Sequence, residues 1–600
     1  MIIKLHSNLI NKIAAGEVVE RPASVLKELV ENSIDAGSNK ITINIKNAGI
    51  DLIEVIDNGR GMSKDDASIA CDSHSTSKIT SLKDLENINS MGFRGEALAS
   101  ISSVAELELQ TKNKKENTGT LVKIDNSKKI KIEETSTNKG TRISIRNLFA
   151  KVPARKKFLK SQSTEYKHIL ATFYNYALAF PNIHFIFTHN GKEIHNLPIS
   201  SKDSFNKELK IRINDLFGNK ISSKLVELKY NSPYIQILGF TGHPSLARSR
   251  RSYQLIFLNK RPINNNLISK AVYDSYRGLI PKGRYPIFFL FIKMNPIEVD
   301  VNVHPRKSEV KFENPQKIFS AVKQSAKHTL LQFVKNDAKK ALDKYSYLNT
   351  NPKISKPAEK NILKPQSYKG TYKPLDSKPN KKTISQSMQF SEELLKPSYT
   401  SPSKPSYIPY KACQVFNEFI IIEKDNYLQI IDQHAAAERV TYEHLHNQLD
   451  KKNIDTQKLL IPDTIELNKI EFEVVNENKK MLNELGIRIS LFGDKSFKIE
   501  EVPALISKAD ISKLIEDLIS DLNSDKIGKE ADSFKDLKDH IIATMACHSS
   551  IRAGMKLNQQ EMEDLVKKLL NCDNPYSCPH GRPIIWKISK QELEKKFKRT

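Results

Sequence analysis

Cysteine and long apolar runs are scarce in this chain, and their scarcity excludes several classes of protein. Only five cysteines occur in 600 residues, an odd and sparse set that argues against a disulfide framework and favours a reducing compartment, with the cytoplasm as the default. The longest strongly apolar run, 287–292, is far shorter than the roughly 20 residues of a membrane-spanning helix. No apolar block precedes a small-residue cleavage site at the amino terminus, so we expect a soluble protein without a signal peptide.

Acidic residues are outnumbered by basic ones. The chain has 95 Lys and Arg against 69 Asp and Glu, a formal net charge of +26, which favours a polyanionic partner such as nucleic acid or a membrane surface. Part of the excess lies in 351–410, where nine Pro, ten Ser and eleven Lys make up half of the 60 residues. Such a segment cannot bury enough apolar surface to offset its ordering entropy, so we expect a disordered tether. Its lysines are solvated in the simplest interpretation and contact DNA non-specifically in the alternative.

Length and periodicity predict two or three globular units without internal repeats. Before the tether, period-two patterns predict strands at 40–46, 51–57, 106–111, 142–146, 234–240, 253–258 and 286–294, and a helix at 315–334. After the tether, the patterns predict strands at 413–423 and 427–432 and helices at 435–448, 471–485 and 536–551. These alternating segments indicate an α+β chain.

The stretch from Arg21 to Gly37, RPASVLKELVENSIDAG, predicts an amphipathic helix. Its branched apolar side chains cover one half of the helical wheel, while Glu28 and Asn32, four residues apart, share an edge of the polar half. A solvated polar face is the ordinary interpretation. The alternative, a catalytic base beside a metal ligand, requires phosphate-binding and base-recognising groups downstream.

Two glycine-containing segments downstream match that requirement. Asp57-Asn58-Gly59-Arg60-Gly61 follows a strand, so a buried Asp57 could accept a hydrogen bond from an adenine amino group while Gly59 and Gly61 permit close approach of a ligand. Gly92 to Leu98, GFRGEAL, precedes a helix-like segment whose free N–H groups favour phosphate. A Walker A loop, GxxxxGK[S/T], does not occur. Each segment is weak evidence alone, but after the helix and in this order they predict a nucleotide site.

These motifs resemble an ATPase family. ELVENSIDAG, DNGRGM, GFRGEAL and Gly140-Thr141 resemble the four boxes of the ATPase fold shared by gyrase, histidine kinases, a heat-shock chaperone and the MutL mismatch-repair proteins. The longer string NKIAAGEVVERPASVLKELVENSIDAG and HSTSKI are specific to MutL, and the resemblance covers 1–335. It implies that Glu28 activates the water that attacks ATP, Asn32 ligates Mg²⁺ and Asp57 reads adenine. It places further nucleotide contacts at Gly59, Gly61, Lys78, Gly92, Phe93, Arg94, Gly95, Glu96, Ala97, Leu98, Thr141 and Lys307.

The chemistry of phosphoryl transfer agrees with these roles, because it needs chiefly positioning and charge neutralisation. The resemblance implies slow turnover that acts as a conformational switch. Lys307, in VDVNVHPRKSEVKF, matches the transducer lysine that reaches the γ-phosphate, although an ordinary surface lysine is the alternative. Arg261, in FLNKRPI, lies where the family places a DNA-contacting arginine, and a solvated turn residue is its alternative.

The C-terminal part contains candidate metal ligands. His434 and Glu438 lie four apart on one helical face, and Asp432 ends the preceding strand. These groups can hold a divalent metal, although an ordinary surface contact is the commoner reason for such spacing. Cys578 and His580 lie two apart in CPHGRP, and the intervening proline favours an extended backbone on which both side chains point the same way. With a further thiol in Ala-Cys-His at 546–548, these groups predict a transition-metal site.

These segments resemble the DQHA(X)2E(X)4E, Ala-Cys and CPHGRP motifs of MutL proteins with a latent endonuclease. His548 stands where many relatives have Arg or Lys, so its role is left open. The implied reaction is metal-assisted phosphodiester hydrolysis, with Asp432 and Glu438 catalytic. The implied ligands of Mn²⁺ and/or Zn²⁺ are Asp432, His434, Glu438, Cys578 and His580. Thiolates favour Zn²⁺, whereas carboxylates accommodate Mn²⁺.

The resemblance also implies an architecture and partners. We expect an ATPase domain at 1–205 (an α/β sandwich of the Bergerat type), a small α/β transducer domain at 206–335 (ribosomal protein S5-like), a disordered basic linker at 336–410 and an α/β dimerisation and endonuclease domain at 411–600. Gln457, Leu460 and Ile461, in QKLLIP, resemble a hook for the replication sliding clamp, with a buried strand edge as the alternative. The other implied partners are a second copy in a homodimer, DNA, the mismatch-recognition protein MutS and, as a further candidate, a repair helicase. The implied location is the bacterial cytoplasm at the nucleoid, without membrane contact.

Three functions compete. The motifs favour a mismatch-repair endonuclease switched by ATP. An ATP-dependent, DNA-bound matchmaker without a nuclease would lack DQHA(X)2E(X)4E, which is present. A gyrase-type or chaperone ATPase would also lack the CPHGRP segment.

Overall fold

The structure is a computed structural model. It describes residues 19–73, 75–78, 91–92, 95–125, 128–199, 204–281, 283–300, 310–349, 412–424, 426–451, 453–493, 495–507, 510–523, 534–549 and 554–599. Among these residues, no helix combines the length and apolarity needed to cross a membrane.

The first region is an eight-stranded sheet with helices packed against it. Its elements are α1 (Pro22–Asp35), β1 (Lys40–Lys46), β2 (Leu52–Asp57), α2 (Lys64–Ile69), α3 (Ala97–Ser102), β3 (Glu106–Lys112), β4 (Gly119–Asp125), β5 (Lys128–Thr135), β6 (Gly140–Arg146), α4 (Pro153–Phe158), α5 (Gln162–Ala179), β7 (His184–His189) and β8 (Lys192–Leu197). The strand order is β5-β4-β3-β6-β2-β1-β7-β8, and only β1 and β7 pair in parallel. Ile41, Ile43 and Ile45 alternate into the core, as the period-two pattern requires, and α1 packs beside α5 over this core.

The second region is a five-stranded sheet between two hydrophobic clusters. Its elements are α6 (Phe205–Phe217), α7 (Asn219–Ser222), β9 (Leu225–Asn231), β10 (Ile235–Gly242), β11 (Gln254–Leu258), β12 (Arg261–Ile263), α8 (Asn266–Ser275), β13 (Phe288–Met294), β14 (Val299–Asp300), β15 (Lys311–Phe312) and α9 (Pro315–Asn349). Phe257 and Phe289 join the core of the first region, whereas Ile256 and Phe288 pack toward α8 and α9. The two regions therefore share one continuous core.

The C-terminal region has two small sheets and two cores. Its elements are β16 (Ala412–Val415), β17 (Phe419–Lys424), β18 (Tyr427–Asp432), α10 (Gln433–Asp450), β19 (Thr456–Glu466), α11 (Lys469–Glu484), β20 (Arg488–Leu491), β21 (Ser496–Pro503), α12 (Ile511–Leu522), α13 (Phe534–Ser549), α14 (Gln559–Leu570), β22 (Ile585–Ser589) and α15 (Lys590–Lys596). The sheets are β16-β17-β18-β22 and β19-β21-β20. Because α10 follows β18 without a loop, its first turn lies at the end of the first sheet.

Two predicted elements differ from the observed ones. The strand predicted at 413–423 is wrong as one element, because Phe416 and Asn417 adopt positive φ and turn the chain between β16 and β17. The helix predicted at 315–334 continues to Asn349, inside the segment assigned to the linker, since its Ala, Leu and Lys residues favour helix. The other predicted strands and helices are present within a few residues of their expected bounds.

The C-terminal region packs against the first two regions through complementary charges. On α12, Glu516 pairs with Arg248 at 2.6 Å, Asp517 with Arg284 at 2.5 Å and Asp521 with the Arg250 side chain at 2.9 Å. Asp517 and Asp521 are almost fully buried in these contacts. Apolar packing contributes as well, because Ile470 of α11 joins the core of the first region.

Candidate nucleotide and metal sites

Helix α1 places Glu28 and Asn32 at the rim of the first core. The helix starts at Pro22, a residue suited to the first helical turn because it has no N–H to satisfy. Leu26 and Leu29 are buried beneath it, and Glu28 keeps 21% of its side chain exposed. The Nζ of Lys27 lies 3.3 Å from Oε1 of Glu28. A partly exposed carboxylate on a rigid helix is suited to contact a substrate.

Lys78 lies directly against the polar face of α1. Its Nζ donates to Oδ1 of Asn32 at 2.9 Å and to Oδ2 of Asp35 at 2.6 Å. Asn32, the expected Mg²⁺ ligand, and Lys78, an expected nucleotide contact, are therefore adjacent.

Asp57 is buried at the end of β2 and accepts hydrogen bonds on both carboxylate oxygens. Ser33 Oγ donates to Oδ2 and the Gly59 N–H donates to Oδ1, both at 2.9 Å. Burial raises the pKa of the Asp57 carboxyl, while these hydrogen bonds oppose the shift. Thr141 pairs with Asp57 across β2 and β6, so the two predicted contacts are neighbours.

Glycine is required where backbones approach closely around this site. A Cβ on Gly61, which has a φ of +70°, would lie 2.0 Å from the carbonyl oxygen of Lys112. A Cβ on Gly95, with a φ of +63°, would lie 2.6 Å from the Ser75 carbonyl oxygen. Gly95 thus packs against Ser75, three residues before Lys78.

The remaining predicted nucleotide contacts lie near this face or outside the described residues. Gly92 adjoins Lys78, since a Cβ there would be 3.1 Å from Nζ. Glu96 precedes α3, which includes Ala97 and Leu98. Three predicted contacts, Phe93, Arg94 and Lys307, lie outside the residues that the structure describes.

Five side chains from three distant segments form a candidate metal centre around Glu438. The ligand atoms of His434, Glu438 and Cys547 lie within 4.8 Å of one another, and so do those of Glu438, Cys578 and His580. Nε2 of His434 is 3.2 Å from one carboxylate oxygen of Glu438, and Nδ1 of His580 is 3.7 Å from the other. Glu438, which belongs to both groups, is 1% exposed.

The donor set fits a transition metal. Burial alone would raise the pKa of Glu438, but the nearby imidazoles of His434 and His580 and the thiol of Cys547 hold that pKa well below its usual range. Oε2 of Glu438 is buried and makes no hydrogen bond with the residues that the structure describes. Removal from solvent, together with the Glu438 carboxylate, raises the pKa of the Cys547 thiol to about 12. Imidazole, carboxylate and thiol groups around a buried oxygen match the ligand preferences of Zn²⁺ and, through the carboxylate, of Mn²⁺.

The CPHGRP segment brings the side chains of Cys578 and His580 together through a turn that begins at Cys578. The Gly581 N–H donates to the Cys578 carbonyl at 2.9 Å, and Gly581 has a φ of +78°. The N–H of Arg582 points at Cys578 Sγ at 3.4 Å. This contact and the turn fix the position of the Cys578 sulfur beside Glu438.

Asp432 and Glu443 have other partners in this structure. Asp432 caps α10 by accepting the Ala435 N–H at 2.9 Å, and it does not belong to either group of ligand atoms. Glu443 accepts the backbone N–H groups of Asp573 and Asn574 at 2.7 and 3.1 Å. Asp432 therefore lies at the start of α10, six residues before Glu438.

Sequence reasoning did not place Cys547 among the ligands or assign His548. Cys547 lies on α13, 109 residues after Glu438, so no local spacing links the two residues. Nε2 of His548 contacts Asp517 at 2.8 Å, away from the metal ligands. The Ala-Cys motif was the available signal for Cys547.

The predicted clamp hook is exposed. Gln457 and Lys458 pair with β21, and the pairing resumes at Asp463 in a shifted register. Leu460 is 99% exposed and Ile461 is 82% exposed. The buried strand edge, the alternative considered for this segment, is wrong.

Arg261 starts β12 opposite Leu258. The pKa of Lys27 is raised overall, because two carboxylates of α1 outweigh the lowering effect of burial. The positive charge of Arg261 also lowers this pKa, by a smaller amount. Arg261 is thus close enough to α1 to affect its electrostatics.

Comparison with known families matches three parts of the chain. Residues 20–150 match the family model for the histidine kinase-, DNA gyrase B- and HSP90-like ATPase. Residues 213–331 match the C-terminal domain of the DNA mismatch repair protein, and 412–557 match the MutL C-terminal dimerisation domain. The fold and site thus define an ATPase-domain protein of the gyrase and histidine-kinase class that also carries a dimerisation domain.

Full-length relatives identify the family. The chain is 37% identical to the DNA mismatch repair protein MutL of Halothermothrix orenii and 36% identical to that of Endomicrobium trichonymphae, with 99% of each chain covered in both comparisons. Among solved structures, the Aquifex aeolicus MutL ATPase domain complexed with ADP is 28% identical and covers 46% of this chain and 94% of its own, with a TM-score of 0.34. The chain belongs to the MutL family of DNA mismatch repair proteins, which confirms the expected family and its α+β ATPase fold.

Proposed function

We propose that this protein couples slow ATP binding and hydrolysis to mismatch-dependent, metal-dependent nicking of DNA and to recruitment of later repair factors. The observation that supports the nuclease is the convergence of His434, Glu438, Cys547, Cys578 and His580 in a chain with an ATPase domain. The alternative, an ATP-switched DNA-binding matchmaker without nuclease activity, would not require this set of metal ligands.

In the nucleotide site, Glu28 is the base that activates water, and Asp57 accepts the adenine amino group. Asn32 holds Mg²⁺, which neutralises phosphate charge when bound. Lys78, Thr141 and the loop 92–98 surround the phosphates, with Gly59 and Gly61 allowing close approach. Lys307 reports the γ-phosphate from the transducer domain. The adjacency of Lys78 and Asn32 and the buried Asp57 carboxylate support these roles.

In the metal centre, Glu438, His434, Cys578 and His580 hold Mn²⁺ and/or Zn²⁺, with Asp432 as a further catalytic carboxylate. The metal, when bound, activates water and stabilises the leaving oxygen. The buried Oε2 of Glu438 supports this assignment because a cation would satisfy it. We add Cys547 to the ligands because its sulfur lies within 4.8 Å of the ligand atoms of His434 and Glu438.

We assign the domains as 1–205 for the ATPase, 206–335 for the transducer and 411–600 for the dimerisation and nuclease domain, with the linker between 335 and 411. The protein acts as a homodimer on DNA in the bacterial cytoplasm, at the nucleoid, with Arg261 as a DNA contact. MutS and the sliding clamp are its partners, the latter through Gln457, Leu460 and Ile461, and a repair helicase is a further one. The exposed Leu460 and Ile461 support clamp docking.

Nicking of supercoiled plasmid in Mn²⁺ tests the nuclease. Asp432→Asn and Glu438→Gln should abolish nicking while ATP hydrolysis persists, because both changes lie in the C-terminal region. His444→Ala, an exposed change on the same helix, serves as the matched control and should nick normally. Persistent nicking by contaminant-free Glu438→Gln would remove the metal centre from the reaction, whereas absence of nicking by the wild type would favour the matchmaker.

A further inference from the structure

We propose that Asp35 is a positioning residue of the nucleotide site, whose carboxylate holds two separate segments against the helix that carries Glu28 and Asn32. The inference rests on the nucleotide site proposed above. Asp35 is three residues after Asn32 and seven after Glu28, so all three lie along one face of α1.

The carboxylate of Asp35 binds three donors from two segments. Lys78 Nζ lies 2.6 Å from Oδ2. The backbone N–H of Met91 donates to Oδ1 at 3.0 Å, and that of Gly92 donates to Oδ2 at 3.2 Å. The donors are 43, 56 and 57 residues away in sequence. One side chain therefore joins Lys78 to Met91 and Gly92, at the start of GFRGEAL.

Helix stability does not account for a carboxylate at this position. Asp35 is the last residue of α1, where the partial negative charge of the helix terminus disfavours an acid. Its side chain is only 10% exposed and that of Lys78 only 16%. Ionised groups that are this buried need charge-assisted hydrogen bonds to offset desolvation. The contacts with Lys78, Met91 and Gly92 supply them.

Close packing makes the arrangement sensitive to loss of Asp35. Gly92 lies against Lys78, and Gly95 lies against the Ser75 carbonyl, so the loop and the 75–78 segment share an interface without spare room. Removing the charge of Asp35 releases Lys78 and weakens the acceptor for Met91 and Gly92 together. Two nucleotide-contacting segments would then have to be ordered by the nucleotide, which lowers affinity. Glu28 stays in place because it is on the preceding turns of α1.

Asp35→Asn in the full chain tests the inference, with two readouts. We expect backbone amide exchange at Met91 and Gly92 in the nucleotide-free protein to rise by about tenfold, the size expected for loss of one charge-assisted hydrogen bond. We expect the Kd for a non-hydrolysable ATP analogue to rise by about tenfold for the same reason. Hydrolysis at saturating ATP should stay within about twofold, because a binding defect acts on KM rather than on kcat.

Two controls separate positioning from general destabilisation. Glu54→Gln removes a carboxylate of β2 that binds Arg142 of β6. This control should leave amide exchange at Met91 and Gly92 unchanged. Asp35→Glu keeps the charge on a side chain one methylene longer, which cannot meet all three donors at their present distances, so its exchange and Kd should lie between those of the wild type and of Asp35→Asn. This variant also keeps the test open if Asp35→Asn does not fold.

The outcomes distinguish this inference from the nucleotide site itself. Wild-type exchange and affinity in folded Asp35→Asn, or in Asp35→Glu if only that variant folds, would overturn the role of Asp35. Failure of the wild-type chain to bind the ATP analogue would instead overturn the nucleotide site, and that result is independent of the exchange measurement.

Discussion

Glu438 illustrates how single residues are prepared for chemistry in this protein. Its carboxylate is almost fully buried, yet nearby imidazole and thiol groups keep it ionised. Glu28 is the opposite case, a partly exposed carboxylate that pairs with the adjacent Lys27. Burial with satisfied partners suits an ion-binding group, whereas exposure at a rigid rim suits a base that must reach a substrate.

Glu28→Gln should bind ATP and fail to hydrolyse it. The amide keeps the size of the side chain but cannot take a proton, and loss of a general base typically lowers the rate by about 10²- to 10⁴-fold. Equilibrium binding and phosphate release, measured on the same preparation, give the two quantities. Normal phosphate release would place the base elsewhere, and loss of binding as well would indicate a structural role for Glu28.

Cys578→Ser should lower Zn²⁺ affinity with little change in folding. The serine oxygen is a poorer ligand for Zn²⁺ than a thiolate, whereas the turn that carries it is fixed by backbone hydrogen bonds. Metal content after dialysis against a defined Zn²⁺ buffer measures the effect. Cys413→Ser, at an exposed cysteine on β16, is the matched control, and equal metal content in the two variants would count against Cys578 as a ligand.

At the scale of elements, the metal centre depends on three segments that meet at α10. The β18–α10 junction presents His434 and Glu438 on successive turns. The hairpin of the CPHGRP segment is tied to α10 by Arg439, which donates to the Ser577 carbonyl at 2.7 Å. Helix α13 contributes Cys547 from its last turn. Each element has its own core contacts, so the centre is held from three sides.

Strand β19 exposes a pair of apolar side chains to solvent at the proposed clamp hook. Leu460→Asp combined with Ile461→Asp should abolish binding to the sliding clamp, because exposed anchors that bury on docking dominate such interfaces. ATP hydrolysis and thermal stability should not change, since neither side chain packs in the monomer. Leu491→Asp, at a 56% exposed position of β20 in the same sheet, is the control. Unchanged clamp affinity of the double variant in surface plasmon resonance would reject the hook.

At the scale of the whole molecule, the N-terminal and C-terminal regions are joined by ion pairs around α12. Asp517 accepts from Arg284 of the second region and contacts His548 of α13. His548 is next to the candidate ligand Cys547, so one carboxylate links the packing of the regions to the metal centre. Hydrogen bonds to Arg284 and His548 hold the pKa of Asp517 below its usual range despite burial, which alone would raise it. The link is therefore charged at neutral pH.

Arg284→Glu should separate the two regions. Reversal places two carboxylates together at a site where Asp517 is 2% exposed, and breaking a buried ion pair costs roughly 3 kcal/mol or more. Small-angle X-ray scattering should show a larger radius of gyration than for the wild type. Arg277→Glu, at an exposed arginine of the same region, should not change the radius. An unchanged radius for Arg284→Glu would mean that α12 does not hold the regions together.

The sequence by itself determined the family, most strands and helices, and the adjacency of groups that are close along the chain. Glu28 and Asn32 share a helical face, and His434 and Glu438 do so as well, because the period of the helix places residues four apart on one side. Only the tertiary structure decided which distant groups meet. Cys547 joins Glu438, and Asp35 binds Lys78, Met91 and Gly92, through packing between elements that no local period encodes. The tight turn at Cys578 and the turn between β16 and β17 also depended on local hydrogen bonds and positive φ angles, which the hydrophobic pattern does not reveal.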